Sequence, residues 1–135
     1  MIRALALILL AAVSFHASAE DQAQIRAAAL DYAEGWYTGD AARMERAVHP
    51  DLAKRIAQRG KLDQTTAAEL VNGTRAGHGK GTPKAKQLAD VKILDVFGNA
   101  ASVRLEMGGW IDYMHLAKID GQWKIVNVLW ELKPR

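Results

Sequence analysis

The sequence predicts an α+β domain: helices first, then an antiparallel sheet, with the helices laid across one face of a curved sheet. Two patterns carry this reading. Ile25, Ala28, Ala29, Tyr32, Ala33 and Trp36 recur at three- and four-residue spacing, which marks a helix with one apolar face. After residue 89 come four strand-like runs, at residues 90–97, 100–107, 110–119 and 122–132, joined only by Gly98-Asn99, Gly108-Gly109 and Asp120-Gly121. Joins this short force antiparallel neighbours. Within the second run Ala101, Val103, Leu105 and Met107 alternate with Ser102, Arg104 and Glu106, the period of a sheet wet on one face.

The elements follow in order. Residues 1–19 read as a leader: Arg3 gives a positive start, residues 4–15 are apolar, and Ala17-Ser18-Ala19 has the small-x-small form a signal peptidase accepts. Cleavage is expected before Glu20, leaving one domain over residues 20–135 in the periplasm or secreted, with no membrane association after cleavage. The first helix follows; Gly39 is placed to end it in a left-handed conformation, and Asp40 to cap a second helix that turns Met44, Ala47 and Val48 inward. Pro50 is expected to stop that helix. Residues 52–64 are ambiguous, with Arg59-Gly60 able to turn a small hairpin between residues 53–56 and 61–63. Thr66 and Glu69 then stand in capping-box spacing before a helix that buries Ala67, Leu70 and Val71. Residues 72–86, rich in glycine and basic side chains, read as an exposed loop bordering a pocket. That loop lacks the first glycine and the hydroxyl of a phosphate-cradling motif, and its Asn72-Gly73-Thr74 sequon is of a kind common by chance.

Composition excludes several classes. With Arg3 gone, the 18 Lys and Arg become 17 against 15 Asp and Glu, a formal charge of +2 spread along the chain. Nucleic acid is therefore not an expected partner. Cysteine is absent, which removes disulfides, thiolate nucleophiles and sulfur metal sites. Beyond the leader the histidines are His49, His78 and His115, with no pair at three- or four-residue spacing, so no metal is expected, and no cofactor.

Three separated segments invite a comparison: Asp31-Tyr32-Ala33-Glu34-Gly35-Trp36-Tyr37-Thr38-Gly39-Asp40, then Arg43-Met44-Glu45-Arg46-Ala47-Val48-His49-Pro50-Asp51-Leu52, and the hairpin from Trp110 to Trp130. Together they resemble the putative lumazine-binding family, a branch of the nuclear-transport-factor-2-like superfamily. The resemblance covers the chain from Ile25 to Glu131 and implies a cone-shaped α+β fold with room for a cavity between helices and sheet. It also implies a homodimer through the outer face of the sheet. Because that superfamily includes isomerases, dehydratases, polyketide cyclases and non-enzymatic binding or assembly domains, the resemblance implies no single chemistry.

The candidate site residues cluster on the aromatic hairpin. Alternation sends Trp110, Asp112, Met114 and Leu116 to one side of their strand and Ile111, Tyr113, His115 and Ala117 to the other. Asp112 and His115 therefore form no acid–base dyad unless a bulge intervenes. A cavity-facing Asp112 is a candidate general base; on the structural alternative, Arg104 or a neighbouring lysine satisfies it. His49 is a second candidate base, or else caps helix carbonyls before Pro50. Asn127 interrupts an apolar strand and needs partners, with Tyr32, Tyr113 and Arg55 as internal ones. Trp36, His49, Arg55, Trp110, Asp112, Asn127 and Trp130 make up the expected ligand-binding set. Two functions compete. One is an exported protein binding a small molecule, a flat heterocycle stacked on tryptophan and hydrogen-bonded by Asn127 and Asp112. The other is an enzyme of the ketosteroid isomerase, dehydratase or polyketide cyclase type, with Asp112 or His49 as base and a tyrosine as proton donor. An assembly module is a third possibility.

Overall fold

A computed structural model of the chain describes residues 17–135; the expected leader lies almost wholly outside them. Helix α1 spans Ala19–Thr38, with the Ser18 hydroxyl accepting from the Asp21 amide at its start and Gly39 at φ 71° ending it. Its buried face is Ile25, Ala28, Ala29, Tyr32, Ala33 and Tyr37. Helix α2, Ala41–Ala47, opens on the Asp40 cap. Arg43 and Arg46 reach back to Asp31 at 2.9 and 2.8 Å, which ties the first two helices together through residues of the resembling segments.

Helix α2 ends three residues before Pro50, earlier than expected. Val48 is already extended, and the residue before a proline avoids helical backbone, so strand β1, Val48–Gln58, begins at once. Pro50 lies where the pairing of β1 shifts register, so no ladder hydrogen bond is lost to its missing N–H. Strand β2, Lys61–Thr66, folds back on β1 through Arg59 and Gly60, both at positive φ. Helix α3, Ala67–Arg75, has both reciprocal bonds of the Thr66–Glu69 capping box and runs further into the glycine-rich segment than the sequence suggested. A short 3₁₀ turn at Lys84–Lys86 leads to β3, Ala89–Phe97, followed by β4, Ala100–Met107, β5, Trp110–Ile119, and β6, Gln122–Leu132.

The sheet has six strands, in the order β2-β1-β6-β5-β4-β3, rather than the four expected. All neighbours are antiparallel except β1 and β6, which run parallel. That pairing brings the β1–β2 hairpin into the sheet and extends it beneath α3. The core lies between the helices and the inner sheet face, where Val103, Leu105, Met107, Met114, Leu116, Ile125 and Val128 meet Ile25, Ala29 and Met44. Asp21 fastens the first turn of α1 to this sheet, accepting from Lys118 Nζ at 2.9 Å and Trp123 Nε1 at 2.8 Å. Among the described residues no helix is long and apolar enough to cross a membrane.

Candidate functional site

A cavity of about 720 Å³ opens between the second half of α1, α3, the loop after it and the inner face of β1, β5 and β6. Its walls are largely apolar: Trp36 from α1, Leu70 from α3, Trp110 from β5, Trp130 and Leu132 from β6. The three indoles meet edge to face, with Trp36–Trp110 centroids 6.5 Å apart at 89° and Trp110–Trp130 centroids 6.2 Å apart at 71°. Such contacts fix the rings against one another. His78 sets its edge on Trp36 at 6.4 Å, so this exposed loop histidine also borders the mouth. The loop lies close because residue 79 is glycine; a Cβ there would collide with the Trp36 carbonyl and its indole ring.

Polar chemistry is concentrated at the floor. Lys54 Nζ donates to Asp112 Oδ1 at 2.7 Å and to the Tyr32 hydroxyl at 2.5 Å, and it lies 4.8 Å from the centroid of Trp130. Trp110 Nε1 donates to Asp112 Oδ2 at 2.9 Å, and the Tyr32 hydroxyl faces Oδ1 at 3.5 Å. Asp112 is wholly covered, with partners on both oxygens. Lys54 and Tyr32, by contrast, form part of the cavity wall. Burial pushes the Lys54 ammonium below the ordinary lysine range, against the pull of the Asp112 carboxylate. Burial also raises the Tyr32 hydroxyl well above its ordinary value, reinforced by the same carboxylate, so Tyr32 stays protonated.

The expected site residues thus divide between two faces. Trp36, Trp110 and Trp130 line the cavity, and Asp112 sits directly behind its floor. Asn127 and Arg55 do not join them: Arg55 Nη1 donates to Asn127 Oδ1 at 3.3 Å, and the Asn127 amide meets His115 Nδ1 at 3.2 Å, a network separate from the cavity wall. The physical reason is a bulge in β6. His115 pairs with Asn127 but Leu116 pairs with Ile125, so Val126 is an extra residue that reverses the strand's phase, turning Val128 and Trp130 inward and Asn127 outward. Alternation in β5 holds, with Asp112 buried and His115 exposed on opposite faces. His49 stands in β1 instead of at a helix end, its Nδ1 accepting from the Asp51 amide at 3.1 Å, away from the cavity. Arg104 pairs with Glu106 rather than with Asp112.

The sequence reading missed Lys54 as Asp112's partner. The available signal was a lysine set between Leu52 and Ile56 at the inward phase of a strand, together with a buried carboxylate requiring a cation. Among the described residues no cluster of His, Asp and Glu could hold a metal ion.

Comparison with known proteins agrees with this architecture. The family model described as putative lumazine-binding matches residues 20–131. A search of curated proteins finds no match. Among solved structures, an NTF2-like protein of unknown function from Silicibacter pomeroyi superposes with a TM-score of 0.69 at 17% identity, covering 87% of this chain and 100% of that one. An NTF2-like protein of unknown function from Methylobacillus flagellatus gives 0.64 at 23% identity, over 90% and 98%. A ketosteroid isomerase-like protein from Erwinia carotovora atroseptica gives 0.60 at 15%, over 87% and 100%. These likenesses establish a nuclear-transport-factor-2-like fold.

Proposed function

Because the chain belongs to the putative lumazine-binding family, we propose that it is a small-molecule-binding protein whose aromatic cleft holds a flat heterocycle. The observation that carries this reading is the cleft itself: three indoles around about 720 Å³, with one amine and one phenol at the floor as the buried polar contacts. A planar guest would lie against Trp36, Trp110 and Trp130 and present a carbonyl or other acceptor to Lys54 and Tyr32. Asp112 supports binding over proton abstraction, since a carboxylate with no exposed surface, held by Lys54 and Trp110, is out of a substrate's reach. His49 stands outside the cleft and has no access to a guest there.

Titrating pterins, lumazines and flavins into the purified protein tests the reading. The expected result is quenching of tryptophan emission together with a concentration-dependent rise in melting temperature. No quenching and no shift across that panel, with no heterocycle in the extract of denatured protein, would overturn it.

We propose also that the chain acts after export, cut before Glu20. The small-x-small leader supports this. The intact mass of the protein recovered from its native host checks it: a first residue upstream of Glu20 contradicts the cut.

A further inference from the structure

Lys54 differs from an ordinary buried ion-pair lysine in where it faces. Its carboxylate partner is sealed, yet the Lys54 side chain forms part of the wall of an apolar cavity. Two of its three N–H groups go to Asp112 and Tyr32, and the nitrogen lies against the face of Trp130. Three requirements of amine–carbonyl condensation meet here: a desolvated amine, a carboxylate to take and return a proton, and a hydroxyl able to relay one. We propose that Lys54 is a reactive amine that forms an imine with an aromatic aldehyde or ketone lying flat in the cleft, an inference that rests on the binding role assigned to that cleft.

The proton and electron accounting closes on residues in contact. The Lys54 ammonium passes a proton to Asp112 Oδ1, 2.7 Å away. The freed nitrogen lone pair adds to the carbonyl carbon; a C–N bond forms and the π pair moves to oxygen. Tyr32, 2.5 Å from Nζ, hands its proton to that oxygen while taking one from the nitrogen, so it carries no charge between steps. Tyr32 then passes its proton to the carbinolamine hydroxyl while taking the one held by Asp112, whose Oδ1 lies 3.5 Å away, and that hydroxyl leaves as water as the nitrogen lone pair closes the C=N bond. One amine and one carbonyl give one protonated imine and one water. The cation remains at Nζ beside a carboxylate again ionised, so the buried ion pair survives the reaction, and Trp110 Nε1 holds the second oxygen throughout. Burial, by lowering the proton affinity of Lys54, makes its neutral form easier to reach than that of a surface lysine.

The test uses 2-naphthaldehyde with sodium cyanoborohydride at neutral pH, followed by peptide mass mapping. The expected product is one secondary amine at Lys54, formed ahead of every other lysine and blocked by excess 2-naphthalenemethanol, which fits the same space without a carbonyl. At saturating aldehyde, Tyr32→Phe should slow that labelling about a hundredfold while raising the half-quenching concentration of 2-naphthalenemethanol far less, a split between rate and affinity that a tyrosine serving only to hold the guest would not produce. Labelling of Lys54 no faster than of surface lysines, with quenching by the alcohol retained, overturns the imine alone. Loss of both the labelling preference and the quenching overturns the imine and the binding role together.

Discussion

Lys54 and Asp112 sit on strands separated only by β6, and each is tolerable in the interior because the other is there. Removing one charge leaves the other buried and unpaired, which is far more costly than removing both. Lys54→Met is therefore expected to destabilise the protein by about 3–5 kcal/mol, read as a lower urea midpoint with an unchanged slope. Lys54→Met combined with Asp112→Asn should recover most of that loss, since the amide still accepts from Trp110 and no charge remains. Equal losses in the single and double variants would mean that the pair is not energetically coupled. At this scale the sequence was legible where one strand decided the outcome: alternation alone separated Asp112 from His115. It failed where two strands had to be known. Asp112 finds its cation on β1, 58 residues away in the chain. Asn127 turned outward because one extra residue in β6 reversed the phase, and nothing in Ile125-Val126-Asn127 marks which residue bulges.

The end of α1 and the starts of α2 and α3 were legible because their determinants are local. Gly39, Asp40 and the Thr66–Glu69 pair each act within four residues of the end they set, and all three perform as their spacing predicts. Sheet membership was not, because β1 joins through a parallel pairing with a strand some 70 residues later, which no local pattern announces. The docking of α1 likewise depends on a distant contact, through Asp21 to Lys118 and Trp123. Those hydrogen bonds hold the Asp21 carboxyl at about 2, below its ordinary 3.8, with the Lys118 bond the largest cause. A depressed carboxylate contributes stability that is complete above its unfolded value and lost as pH falls through the folded one. Asp21's share should thus disappear between pH 3.8 and about 2. Thermal melts followed by circular dichroism check this: Asp21→Asn should melt lower than wild type at neutral pH and lose less stability across that acid interval. An identical acid slope in both proteins would place the acid sensitivity elsewhere, with Asp31, Glu69 and Glu106, also depressed by their partners, as the remaining contributors.

At the scale of the whole domain, the helices among the described residues cover one face of the six-stranded sheet and leave the other without a helix. Across that second face the register places Arg55, Leu129, Tyr113 and Arg104 in one row over β1, β6, β5 and β4. Leu129 and Tyr113, paired at its centre, are 51% and 49% exposed. An apolar centre flanked by cations, beside the amide and imidazole of Asn127 and His115, has the composition of an interface core with a polar rim. A twofold axis through such a patch would set each Leu129–Tyr113 pair against its copy while the arginines stay at the edge, the isologous arrangement common among homodimers. We therefore expect a homodimer through this face, with light scattering of the purified protein at micromolar concentration giving twice the chain mass. Leu129→Glu with Tyr113→Glu places like charges at the centre of the contact and should halve that mass with unchanged circular dichroism, because neither side chain belongs to the core. Since the aromatic cleft opens on the other side of the sheet, the monomeric variant should bind the same heterocycles as wild type. A wild-type mass equal to one chain would show that this face remains open to solvent.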